Sequence, residues 1–140
     1  MIYISKFLPI PHCISIFILF FTGIVSGATP IAYIESPKNG AFVQSPIEII
    51  FGLDGMELAP AGTYATDTGH HHLIIDNELP DLGMPIPSDN NHLHFGKAQD
   101  RVLLDLEPGL HTLQLLLGDG SHIPHQPPLI SEKIEIRIVP

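Results

Sequence analysis

Leu110-His111-Thr112-Leu113-Gln114-Leu115-Leu116-Leu117 is entered through the turn Glu107-Pro108-Gly109 and left at Gly118. Eight residues are too few for an ordinary helix, and leucines at 113, 115 and 117 repeat with the period of two that puts them on one face of a strand. This is the strongest strand in the chain, and its neighbours read the same way. Downstream, a loop at residues 118–128 leads to a strand over residues 129–139, with Ile130, Ile134, Ile136 and Ile138 along it. Upstream lie strands at residues 101–106, 92–95 and 70–76. The last two are separated by a loop, residues 77–91, holding Pro80, Pro85 and Pro87. A loop at residues 56–69 separates these from residues 47–53, a strand entered at Pro46 and left through Asp54-Gly55. Residues 31–35 make the first strand, ended by Ser36-Pro37 and the turn Lys38-Asn39-Gly40. Outside the amino-terminal segment, no window of ten residues keeps a helical apolar stripe free of Pro and Gly. About seven short strands at turn-marked intervals predict an all-β fold, an immunoglobulin-like antiparallel β-sandwich. The same pattern permits a small barrel or jelly roll.

The 140 residues suffice for one domain, and 44% apolar content is ordinary for a globular one. Six basic against 15 acidic residues give a net charge of −9, the wrong sign for a protein that tracks phosphates. No nucleic-acid partner is expected. Lys6 precedes an apolar run from Ile14 to Val25, followed by the small residues Ser26, Gly27 and Ala28. A basic start, a short apolar core and a Ser-x-Ala end predict a secretory signal peptide over residues 1–28. The run falls short of the roughly 20 residues a spanning helix needs, so no stable membrane span is expected after cleavage. Residues 29–140 are then a single β-sandwich domain, exported to the bacterial periplasm or secreted. Cys13, the one cysteine, goes with the leader, so the domain has neither a disulfide nor a thiolate.

Nine histidines in so short a chain are the anomaly. His12 falls in the leader; the other eight are grouped. Gly69-His70-His71-His72-Leu73-Ile74-Ile75-Asp76 is one group and Asn91-His92-Leu93-His94-Phe95-Gly96 another. His111 stands alone, and His122 and His125 flank Ile123-Pro124. Alternation puts His71 with Leu73 and Ile75 on the core face, as a hydrogen-bonded structural histidine. His70 and His72 then share the outer face, and His92 and His94 do likewise on their strand. Residues i and i+2 of a strand stand about 6.5–7 Å apart, close enough for two imidazoles to lean onto one ion. Two such pairs and a loop pair point to a metal site, since imidazole is the commonest metal ligand. The bland alternative is a set of solvated histidines or partners for the carboxylates. Met56 and Met84 lie in loops and could add soft thioether ligands, which select copper(I), or could simply fill gaps under a loop. His111, in line with Leu113 and Leu115, reads as a core histidine at a strand entrance.

Catalytic motifs are lacking: there is no Gly-x-Ser-x-Gly elbow, no His-Glu-x-x-His helix and no phosphate-cradling glycine loop. Asp67, Asp76, Asp81, Asp89 and Asp119 lie near histidines and can orient imidazoles, or can serve only as turn formers.

The histidine strings just quoted, with Met56-Glu57-Leu58-Ala59-Pro60-Ala61-Gly62-Thr63, Pro85-Ile86-Pro87 and Leu113-Gln114-Leu115-Leu116-Leu117-Gly118-Asp119, resemble one bacterial exported family, domain of unknown function 4399. The resemblance spans roughly residues 34–138. It implies an exported, sandwich-like domain and supplies no reaction, so the metal reading rests on residue chemistry alone.

The sequence therefore reads as a periplasmic transition-metal binding protein, copper first and zinc second. It would act as carrier, buffer or metallochaperone and not as an enzyme. The candidate ligands are His70, His72, His92 and His94, then His122 and His125, then Met56 and Met84. Its partners would be the ion and another periplasmic or envelope protein. The rival is an envelope interaction module that binds no metal. A metal-dependent enzyme, needing an open coordination position beside a pocket, is a third and weaker reading.

Overall fold

The computed structural model describes residues 29–140. The expected leader, residues 1–28, lies outside them. The described residues form nine strands and no helix: β1 (Ile31–Ser36), β2 (Phe42–Gln44), β3 (Ile47–Asp54), β4 (Glu57–Leu58), β5 (Thr68–Ile75), β6 (His92–His94), β7 (Arg101–Leu104), β8 (Gly109–Gly118) and β9 (Ile134–Val139). β1, β3 and β7 make one antiparallel sheet. The other runs β2-β9-β8-β5-β4, with β6 also paired to β5. The fold is an all-β sandwich, as expected. It has two more strands than expected, and β2–β9 and β4–β5 are parallel pairs. The added strands are three and two residues long, too short to alternate visibly.

The core lies between the sheets because period-two leucines and isoleucines point there from both sides. Ile49 and Phe51 on β3 meet Leu73 on β5, Leu113 and Leu115 on β8, and Ile136 on β9, all buried. Each such side chain contributes roughly 1.5–3 kcal/mol through burial. The last strand begins later than residue 129. Residues 129–133 are tied by a lone bridge, Leu116 with Ile130, and by Ser131, whose Oγ accepts from the Leu115 N–H at 2.8 Å.

The outer face of the larger sheet decides the functional question. Ile74 on β5 and Leu116 on β8 point away from the core, yet both are fully buried, packed with Ile86 and flanked by Leu79, Leu82 and Ile130. The proline-rich segment of residues 77–91 has folded back over this face. Where the sequence pattern implied a wet surface, there is a second, smaller core.

Candidate metal centre

β5 carries three consecutive histidines whose rings all have 0% exposure. His71 points between the sheets, its ring edge-on to Phe51 with centroids 5.2 Å apart. The expected hydrogen bonds are absent: neither His71 nitrogen has a partner among the described residues. Burial, aided by His70, pushes its pKa down to about 4, so the ring is neutral at pH 7.

His70 and His72 point the other way, beneath the folded-back segments. Their outer-face placement agrees with alternation; the solvated character it implied is corrected, since the loops exclude water. β6 is the next strand, in a register that sets His94 beside His72. His94 therefore reaches the same spot from the neighbouring backbone. His122 arrives from the loop after β8, where Gly118 pairs with His70. That loop is fixed by Asp119, whose carboxylate accepts from the Ser121 and Ile123 N–H groups at 2.8 and 3.0 Å. Its carbonyl accepts from the His122 N–H at 2.9 Å. His122 sits at φ +67°, a left-handed conformation uncommon for a side-chain-bearing residue and held here by these bonds.

The result is a group of imidazoles. His70, His94 and His122 each offer a donor atom within 4.8 Å of the others, a separation at which one ion can be shared. His72 adjoins them, its Nε2 3.2 Å from the His70 Nε2. Burial and then the neighbouring imidazoles hold His70 down to about 4 and His72 to about 3. His94 is lowered as well, by burial first and His122 second. Neutral rings carry free lone pairs, the state in which imidazole ligates. Nδ1 of His70 and of His72, and Nε2 of His94, are buried without a partner among the described residues. Unpaired buried polar atoms cost about 1–3 kcal/mol each, and a ligand that engages a ring recovers part of that.

The remaining candidates lie elsewhere. His92 does not join the group: its Nδ1 is 2.9 Å from Asp89 Oδ1, and its register partner on β5 is Ile74. His125 lines a cleft with Met56, Ala32 and Leu129 at the amino-terminal end of β1. Met56 packs against the buried Ala32, Leu117 and Leu129 as a gap-filler. Met84 is 57% exposed. No thioether therefore joins the imidazole group. His111 is half-buried instead of core, with Nδ1 2.7 Å from Asp76 Oδ2 and Nε2 2.8 Å from the Glu107 carbonyl. Burial lowers its pKa, but those two bonds outweigh burial and the net shift is upward.

Sequence reasoning passed over two tightly packed glycines, of which Gly96 lies against a member of the group and Gly69 against His125 outside it. A Cβ on Gly96 would stand 2.3 Å from His94 Cε1 and 2.5 Å from its Nε2. A Cβ on Gly69 would stand 2.8 Å from Leu117 Cδ2 and 2.9 Å from His125 Nε2. Their position immediately beside the histidine strings was the only available signal. No curated protein and no solved structure matches the chain. A family model does, over residues 49–139, which holds every member of the histidine group. The chain belongs to the family described as Domain of unknown function (DUF4399).

Proposed function

We propose that the protein binds one transition-metal ion through its clustered imidazoles, in the periplasm or outside the cell, as a carrier, buffer or metallochaperone. The observation that carries this reading is the convergence of His70, His94 and His122 donor atoms within 4.8 Å. Burial lowering the pKa of His70 and His94 supports it, because protons then compete weakly with the ion at those rings. Export rests on Lys6, the apolar run and the small residues that follow. The donor set is all imidazole, which serves zinc and copper(II) alike; copper(I), the softer ion, loses the methionine argument with Met84 at the surface and Met56 in another cluster. A half-exposed His122 on a loop offers a route by which an ion reaches the buried pair, as a carrier that exchanges metal with an envelope partner needs.

The test is metal content by mass spectrometry after purification, then titration of the metal-free protein with zinc and with copper(II). The expected result is close to one ion per chain, lost in the double variant His94→Ala/His122→Ala. No binding of either ion by the folded protein at micromolar concentration would overturn the proposal and leave an interaction module.

A further inference from the structure

Three ligands and a water, or four ligands and no water, are different devices, and the arrangement of the rings distinguishes them. The six centroid separations among His70, His72, His94 and His122 are 4.9, 5.0, 5.0, 5.0, 5.9 and 4.7 Å. Six nearly equal distances among four points describe a tetrahedron. With metal–nitrogen bonds of about 2.0–2.1 Å and a ring centroid roughly 1.1 Å beyond each nitrogen, four imidazoles around one tetrahedral ion have centroids about 5.2 Å apart. The same bonds put neighbouring ligand nitrogens about 3.3 Å apart. His70 Nε2 and His72 Nε2 are 3.2 Å apart. Resting on the metal-binding reading above, we infer that His72 is the fourth ligand and that the site is a closed, all-imidazole tetrahedron with no open coordination position.

Two further observations bear on His72. Its ring is wholly buried and its Nδ1 has no partner among the described residues, so the 3.2 Å approach to His70 is its one polar engagement. The donor atoms that lie within 4.8 Å of one another belong to His70, His94 and His122, and His72 adjoins them through its 3.2 Å approach to His70. The longest edge, 5.9 Å between His72 and His122, is also the one pair whose rings lie near parallel, at 30°. Bringing this pair together requires a ring to turn, and His122 is the one of the four carried on a loop. A closed tetrahedron of neutral nitrogens suits zinc(II) or cobalt(II) and opposes nickel(II) and copper(II), which favour square or tetragonal arrangements. The inference thus reverses the copper-first order taken from the sequence and describes a site that holds its ion without activating water.

Cobalt(II) is the probe, because tetrahedral cobalt absorbs intensely in the visible while five- and six-coordinate cobalt is pale. The full-length protein loaded with one equivalent of cobalt should show the intense bands, unchanged by excess azide. His72→Leu, close in volume, should bind zinc more weakly by about tenfold or more and give a cobalt spectrum that azide alters, since a vertex has opened. A pale or azide-sensitive spectrum in the unaltered protein, or a His72→Leu spectrum identical to it, would refute the fourth ligand while leaving metal binding intact. No cobalt or zinc bound at all would remove the metal reading and this inference with it. If His72→Leu does not fold, the intensity and the azide response of the unaltered protein decide alone.

Discussion

Gly96→Ala reaches the centre without replacing any histidine. The new Cβ would stand 2.3 Å from His94 Cε1, where an ordinary carbon–carbon contact is about 3.5 Å, so the ring must retreat by about 1.2 Å. Ligand bonds tolerate errors of about 0.2 Å, and a displacement six times larger takes His94 out of coordination. The atoms in the way belong to the far end of a side chain with two rotatable bonds, so the ring gives before the backbone does. Ala61 Cβ at 3.3 Å is the next contact and is only slightly tight. Gly96 needs no left-handed backbone, and Gly→Ala at such a position gains roughly 0.4–1 kcal/mol by restricting the unfolded chain, which offsets the local crowding. The metal-free protein should therefore melt within a few degrees of the unaltered one, while zinc affinity falls by about 100-fold, or some 2.7 kcal/mol. Calorimetric zinc titration beside thermal melts of the metal-free form reads both. Gly83→Ala, whose Cβ would meet only Asp81 Oδ1 at 3.4 Å, is the matched control and should change neither. A Gly96→Ala protein that melts normally and binds zinc within threefold of the unaltered affinity would refute the packing argument and the place of His94 in the site.

Four other outcomes are expected. His71→Phe should stabilise the metal-free fold by about 1–2 kcal/mol in denaturant melts, because it keeps a ring edge against Phe51 and removes two nitrogens with no partner; a loss of stability would mean that those nitrogens are satisfied. Stability of the metal-free protein should fall on acidification: His70, His71 and His72 are depressed to about 4, 4 and 3, so below about 6.5 the unfolded chain binds more protons than the native one, and each ring removes up to roughly 1.4 kcal/mol per pH unit down to its folded value. His111 has the opposite sign, contributing stability that is fully present below about pH 6.5 and lost as pH rises through its elevated value, so in melts across pH 4–8 His111→Ala should leave the slope below pH 6.5 unchanged and abolish that loss above it. Met56→Leu and Met84→Leu should each leave zinc affinity within twofold, checked by the same titration, and a larger change would bring a thioether back to the site.

The sheets were legible because Leu113, Leu115, Ile136 and Phe51 obey the period of two against a single core, and burial selects for that pattern wherever one face is dry. The covering of the opposite face was not legible from strands. Its signal was in the loop: Leu79, Leu82 and Ile86 are apolar residues amid prolines, and they face Ile74 and Leu116, which alternation had placed outside. Apolar positions on both an outer strand face and a long loop predict that the two meet, and buried histidines follow from that meeting. Reading the face from the strands alone put His72 on an outer face, which implied a solvated ring. The wholly buried ring makes His72→Ala a cavity-forming change instead.

His92 and His94 show where spacing ceases to inform. Both stand on the same face of β6 and both were candidates on the same ground. Their fates differ through register: His94 lies opposite His72, and His92 lies opposite Ile74, one i+2 step of about 6.5–7 Å farther along β5 and away from His70. Asp89 then claims the stranded ring, accepting from its backbone N–H at 2.9 Å and meeting its Nδ1 at 2.9 Å. A slip of two residues would exchange the roles of the two histidines, and a slip of one would send both into the core. The register is pinned by Leu93 opposite Leu73, where the wrong face would lose apolar burial. The histidine group's composition is thus set by a hydrophobic pairing on the reverse side of the sheet, which no histidine spacing encodes.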